Sequence, residues 1–469
     1  MSATTSTPHT GPEADRLRDK IKGCIYGAAL GDALGLATEF MTRQDAYRIY
    51  GANGEKLALD NMHADRHRCK WEKGDWTDDT DHLVILLCSV LATGGELDQR
   101  DFARRLKKWA GTGFLTLEKA ALGIGATVGM VLSHKNFETD PVGAAYDVWN
   151  HKDRNLAANG AVMRTAVLGC LDYQHETKVF WNAVNACRIT HADPRCIFSC
   201  VVVCVLISRM LRGDFQKPWV PVTPEEQRAD KTPPAAQPIT SQKPYRLPEQ
   251  YKPDPDSPPP SPKVSWTNLL AKLSLSPPPH SEDRRWRAIY DRLAERIKAT
   301  PMSFEKHPAG EPAPPFAFPP TDPQLFEDVR AVVEAYKPCL DFHATEIHSQ
   351  PSPHEDLITT HCLTPSIAPL NLSGPAGIGY TLKCLGAALF CHTRTISPSQ
   401  PAEDFKKIMT GLIMEAGDAD TNAAVAGALV GCRVGFSGLP GEWVAGLKHR
   451  EWLEERVEAL VELVLGRGR

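Results

Sequence analysis

The 469-residue sequence predicts an all-α fold, a compact helical body interrupted by one long proline-rich insertion. Three observations lead there. Apolar residues recur at helical spacing, and period-2 alternation is scarce. Small residues crowd the apolar stretches, as in GCIYGAALGDALGLA (23–37) and NAAVAGALVGCRVG (422–435), which lets helix backbones approach closely. Roughly two-thirds of the 38 prolines lie between Asp214 and Pro323. Spread through packed helices they would cost about 3 kcal/mol each, so they must be segregated.

Taken in order, residues 1–15 are polar, have no apolar leader core and are expected to be disordered. Helices are expected over 23–37, over the strongly apolar 81–92 and over the amphipathic 102–109. The apolar run Cys196–Met210 contains two serines and Arg209 and falls short of the ~20 residues of a membrane span, so no membrane partner is expected. Cys196, Cys200 and Cys204 share one face of it and read as a buried stripe. The 13 cysteines are odd in number and include no pair of CxxC motifs, which points to a reduced intracellular setting, cytoplasmic or nuclear.

Residues 214–323 form the insertion, whose composition cannot bury enough apolar surface to offset ordering. Its proline motifs are either ligands for proline-binding domains or a solvated spacer. Within it, EDRRWRAIYDRLAERIKA (282–299) places Trp286, Ile289, Tyr290, Leu293 and Ile297 on one helical face, predicting a helix docked on the body. Residues 324–469 resume the helical pattern, so 16–213 and 324–469 form one domain. Lys+Arg 53 against Asp+Glu 57, a net charge of −4, argues against a nucleic-acid coat.

Chemistry concentrates in two acidic clusters. Thr77-Asp78-Asp79-Thr80-Asp81 precedes HLVILLCSVLA, and Asp418-Ala419-Asp420-Thr421 precedes NAAVAGALVGC. Threonine and aspartate suit helix N-termini, which explains one cap residue in each. It leaves the remaining, mutually repelling carboxylates unexplained. If the two helix starts face each other, their oxygens form a cage for Mg²⁺, Mn²⁺ or Ca²⁺; otherwise they are two capped helices. Asp32 and Glu39, two helical turns apart, share roughly one face, so Glu39 either reaches the same site or is a surface carboxylate. Asn159-Gly160-Ala161-Val162-Met163-Arg164 joins a turn to an apolar stretch, where backbone amides can cradle oxygens.

In this order, GDALG with Glu39 following, WTDDT, NGAVMR, THADP and GDADTNAAVAGAL resemble the ADP-ribosylglycohydrolase family. The long insertion and IGYTLKCLGAAL resemble its fungal branch. The resemblance implies a single-domain orthogonal helical bundle with two Mg²⁺ ions, Mn²⁺ being a substitute, in a cleft. It implies metal ligation by Thr77, Asp78, Asp79, Asp418, Asp420 and Thr421, with Glu39, Asp79 and Asp418 as the catalytic carboxylates. Asn159, Gly160, Met163 and Arg164 match the loop that holds ribose and diphosphate. His191 is a pocket-wall contact or a satisfied core histidine. The implied activity is hydrolysis of the bond between ADP-ribose and a protein side chain, arginine or serine, or a related oxygen-linked conjugate, with ADP-ribose or an ADP-ribosylated protein as partner. A silent ADP-ribose or nucleotide sensor using the same pocket is the alternative. Two departures stand out: Ala419 replaces a threonine of the family motif, and Ala157 stands where serine-directed members carry an aromatic that stacks on adenine.

Overall fold

The structure, a computed structural model, describes residues 11–214, 285–300, 314–341, 355–375 and 378–467. The expectations for residues 1–10 and for most of the insertion lie outside the described residues. Among those described there are seventeen α-helices and no sheet, only isolated β-bridges.

Two glycine- and alanine-rich helices form the centre, Pro12–Gly35 and Ala419–Val434. The first opens at Pro12, eleven residues ahead of the expected helix start and within the segment 1–15 expected to be disordered, because Pro12 at its start and Glu13 and Asp15 in the first turn suit a helix N-terminus. Gly23, Gly27, Gly31 and Gly35 recur every four residues and lie on Gly431, Gly427, Ala423 and Ala419 respectively. A Cβ on Gly27 would stand 2.1 Å from the carbonyl oxygen of Gly427, and one on Gly31 2.0 Å from that of Ala423. The backbones touch, so side-chain volume is excluded from this seam.

The helix Pro194–Arg212 packs alongside, begun by Asp193, whose side chain accepts from Arg195 N, and ended by Gly213 at φ +74°. It is longer than the expected 196–210. Its mean hydropathy of 1.9 makes it long and apolar enough to cross a membrane, but all of that stretch is buried inside the protein. Cys196, Cys200 and Cys204 lie in this core, and all thirteen cysteines are free thiols. The expected segments 81–92 and 102–109 fall within the helices Asp78–Ala92 and Gln99–Thr112. At the periphery the C-terminal helix Arg450–Arg467 is held to the first helix by Tyr26 Oη donating to Glu454 at 2.6 Å and by Lys22 to Glu458 at 2.8 Å.

The docked helix forms within the insertion, over Arg285–Ala299. Trp286, Ile289 and Leu293 are buried, and Tyr290 and Ile297 pack partly buried beside them, the face that the spacing predicts.

Candidate active site

The central glycine seam ends at the two acidic clusters and sets their distance. Asp32, one residue beyond Gly31, is fully buried and caps the neighbouring helix. Its Oδ1 accepts from Thr77 N at 2.9 Å, and its Oδ2 accepts from Thr80 N at 2.9 Å and Thr80 Oγ1 at 2.6 Å. On the other side a short bridge ties the turn after the first helix to the loop before Ala419–Val434. Phe40 N donates to Gly417 O at 2.6 Å, and Gly417 N to Met41 O at 3.2 Å. Gly417 sits at φ +74°, and a Cβ there would lie 2.1 Å from Leu372 O, so this bridge requires glycine.

The result is two overlapping carboxylate triads. Oxygens of Asp32, Asp79 and Asp420 lie within 4.8 Å of one another, as do those of Glu39, Asp418 and Asp420. Asp420 belongs to both. Thr77 Oγ1 lies 3.2 Å from Asp79 Oδ2 and 3.3 Å from Asp420 Oδ2, and Thr421 N donates to Asp420 Oδ1 at 2.9 Å. Asp78 stands beside the triads, its Oδ1 against Gly123, where a Cβ would come within 2.1 Å. Of the six expected ligands the triads contain Asp79, Asp418 and Asp420, joined by Asp32 and Glu39, while Thr77, Asp78 and Thr421 stand beside them.

Among the described residues no lysine or arginine pairs with Asp32, Asp78, Asp79, Asp418 or Asp420; Lys119 pairs with Asp75 and Asp81 instead, and the His67 ring meets Glu39. Burial, then repulsion from neighbouring carboxylates, pushes Asp78, Asp79 and Asp420 well above the usual carboxylate range. Burial raises Asp418 to about 6 against the hydrogen bond from Asn159. Asp79 Oδ1 is buried without a hydrogen-bond partner among the described residues. Buried, mutually repelling hard oxygens whose aspartates have no lysine or arginine partner among the described residues fit divalent cations such as Mg²⁺ or Mn²⁺.

The Asn159–Arg164 loop reaches this nest at one point. Asn159 Nδ2 donates to Asp418 Oδ2 at 2.5 Å, and Gly379 N donates to the same oxygen at 3.1 Å. Gly160 is partly exposed, but Met163 is buried and Arg164 is wholly so. Arg164, with no exposed surface, is engaged by the protein itself. The Arg164 guanidinium lies over the Phe102 ring, 5.0 Å from its centroid, and its Nη2 donates to Ala186 O at 3.1 Å and to Thr190 Oγ1 at 2.7 Å.

Through Thr190, Arg164 connects to His191. Thr190 Oγ1, having accepted from Arg164, stands 2.7 Å from His191 Nδ1. An arginine only donates, so the threonine proton is free for Nδ1, and the imidazole proton sits on Nε2. Burial, then the Arg164 charge, lowers His191 to about 3 and keeps the ring neutral. Nε2 has no partner among the described residues and lies 3.4 Å from where a Gly160 Cβ would be, so a substitution there would crowd it. His191 thus offers one buried N–H toward the Asn159–Gly160 turn.

Three contributors escape sequence reasoning. Asp32 is one, although an aspartate amid small apolar residues is the kind of buried charge that signals use. His67 is another, its Nε2 2.6 Å from Glu39 Oε2. Tyr380 is the third, bridged to Ala158 beside the position where the aromatic is missing. Asp81, by contrast, faces away. Its Oδ1 accepts from Lys119 Nζ at 2.6 Å and Trp76 Nε1 at 2.7 Å, its Oδ2 from Trp109 Nε1 at 3.1 Å. Burial works to lower the Lys119 pKa, but Asp75 and Asp81 outweigh it and hold the amine charged. Lys119→Met strands the Asp81 charge and is expected to cost about 3–5 kcal/mol in chemical denaturation, with partial recovery in Lys119→Met/Asp81→Asn.

Comparison with known proteins follows the same lines. The chain is 29% identical over 192 residues to an uncharacterized protein of Archaeoglobus fulgidus, covering 41% of this chain and 56% of that protein. It is 25% identical over 206 residues to the ADP-ribosylarginine hydrolase Tri1 of Serratia proteamaculans, 44% of this chain and 51% of that protein. It is 27% identical over 197 residues to the uncharacterized protein YegU of Escherichia coli, 42% and 55% respectively. The chain thus spans about half the length of the curated relatives it matches. A solved ADP-ribosylglycohydrolase-related protein complex aligns with TM-score 0.49 and 21% identity over 96% of this chain and 99% of the other. The family model for ADP-ribosylglycohydrolase matches residues 13–251 and 264–469, and the chain belongs to that family.

Proposed function

We propose that the protein is a divalent-cation-dependent hydrolase that cleaves the glycosidic bond between ADP-ribose and a protein side chain. The observation that carries this reading is the pair of carboxylate triads sharing Asp420, whose aspartates have no lysine or arginine partner among the described residues. Asp32, Asp79 and Asp420 would hold one Mg²⁺ and Asp418 and Asp420 a second, with oxygens of Thr77, Asp78 and Thr421 around them; Mn²⁺ suits the same donors. When bound, the ions polarise ribose hydroxyls and lower the pKa of a water.

In the overall reaction, water oxygen bonds to the anomeric carbon as the side-chain leaving group departs. One water proton goes to a carboxylate and a proton reaches the leaving group. Glu39 and Asp418 retain slight exposure, 7% and 8%, whereas Asp32 has none, which supports a role against substrate for the first two. His67 orients Glu39, and Asn159 with Gly379 N orients Asp418. Glu39 is the proton carrier for oxygen-linked substrates, and the metal-holding aspartates Asp79 and Asp418 serve an arginine-linked one. The His191 N–H and the Asn159–Gly160 turn hold ligand oxygens, and Tyr380 supplies the aromatic face that Ala157 does not.

Similarity to an ADP-ribosylarginine hydrolase supports testing the arginine linkage first. Release of free ADP-ribose from arginine-, serine- and acetyl-linked substrates, with Mg²⁺ and with chelator, is the experiment. Release from at least one substrate, lost in chelator, is expected. Release that persists in chelator would overturn the metal dependence, and tight ADP-ribose binding without any release would assign a sensor.

A further inference from the structure

Neither acidic triad accounts for the helix that the insertion contributes. We propose that Arg285–Ala299 is a positioning element of the active site, clamping together the two segments that seat Asp78 and Glu39. Those segments are irregular. Residues 120–125 belong to no helix or strand, yet Gly123 among them abuts the Asp78 carboxylate, and the turn just before carries Lys119 to Asp81. The Arg68–Lys70 turn follows His67, which holds the Glu39 carboxylate, and Arg68 itself donates to the Glu39 carbonyl. A backbone without its own ladder keeps its place only through external contacts.

The helix supplies contacts to both. Ile289 and Leu293 bury themselves against Ala120, with Leu115 and Leu122 packed beside them. Ala121 N donates to Tyr290 Oη at 3.2 Å. At the other edge Arg296 donates to the Lys70 carbonyl and lies 3.5 Å from Glu72. The exposed Arg292–Glu118 pair adds little. One helix therefore spans the loop beside Asp78 and the turn beside Glu39. An alteration of the insertion that displaces it would loosen both carboxylates together.

The inference rests on the proposed function only for its turnover readout. Its test uses the full chain in three forms: Ile289→Arg/Leu293→Arg to undock the helix, Ile289→Val/Leu293→Met as the conservative control, and Tyr290→Phe. Measurements are amide exchange over 67–72 and 115–125, Mn²⁺ affinity by calorimetry, and kcat/KM. Undocking is expected to speed exchange in both segments, weaken Mn²⁺ binding on the order of 10-fold and lower kcat/KM about 10- to 100-fold, with the conservative pair behaving as wild type. Faster exchange with Mn²⁺ affinity and turnover within about twofold of wild type would overturn the proposal and leave the helix a mere cover. If the undocked form fails to fold, Tyr290→Phe decides: faster exchange over 115–125 with weakened Mn²⁺ binding supports the clamp, and unchanged values overturn it. If wild type binds no Mn²⁺, the metal reading fails separately. Exchange in 67–72 on undocking then decides: faster exchange supports the clamp, and unchanged exchange overturns it.

Discussion

Asp420→Asn is expected to lower turnover on the order of 10³-fold while raising the melting temperature of the chelated protein. Asp420 is the residue common to both carboxylate triads, so its loss damages both proposed cation positions at once. Losing several kcal/mol of charge stabilisation at the reacting centre corresponds to that factor. The stability change has the opposite sign because Asp420 is buried and repelled by Glu39, Asp79, Asp418 and Asp32. Removing one charge relieves that repulsion, and a rise of roughly 2–5 °C is expected. A mutation that merely unfolded the site would lower both quantities, and calorimetry with and without chelator separates the two cases.

The same cluster sets a pH dependence. Burial raises Asp418 from 3.8 to about 6. A carboxyl whose folded pKa lies above its unfolded value is held more tightly as the acid in the folded chain, so its contribution to stability is complete below about pH 4 and lost as pH rises through about 6. Chelated protein is therefore expected to lose melting temperature across that window, and added Mg²⁺ to restore it most at pH 7 and above.

Gly31→Val is expected to prevent folding, and Gly31→Ala to cost at least about 3 kcal/mol. By helix propensity alone, Gly31→Ala should stabilise by about 1 kcal/mol. The sign reverses because the added Cβ would stand 2.0 Å from the Ala423 carbonyl oxygen, and the obstacle is backbone, which has no rotamer to change. Separating the helices would also move Asp32 from Asp420. Gly129→Ala is the control. Gly129 lies in the helix Ala126–Leu132, with only Ile124 Cγ2 near a new Cβ, at 3.9 Å, so propensity governs and a gain of about 0.5–1 kcal/mol is expected. Expression level and urea denaturation of the three variants check the set.

Much of this was legible in residue spacing. Small residues crowding the apolar stretches mark close helix contact, the Thr/Asp clusters mark helix starts, and Trp286, Ile289, Tyr290, Leu293 and Ile297 mark a docked face. Each is a local pattern, and local geometry fixes which residues share a helix face. Arg164 shows the limit. The family resemblance implies a ligand contact for it, and a buried guanidinium with a carbonyl and a threonine to satisfy it looks the same in sequence.

The sequence by itself therefore determined the helices, their apolar faces and the chemical types gathered at their ends. Only the tertiary structure decided which ends meet. Asp32, Asp79 and Asp420 come from segments separated by as much as 300 residues and more, and they converge because backbone contact at Gly27 and Gly31 leaves the helices one close registry. Charge repulsion alone would drive those carboxylates apart. Packing of the seam holds them together, and that is a property of two surfaces in contact, which neither segment carries alone.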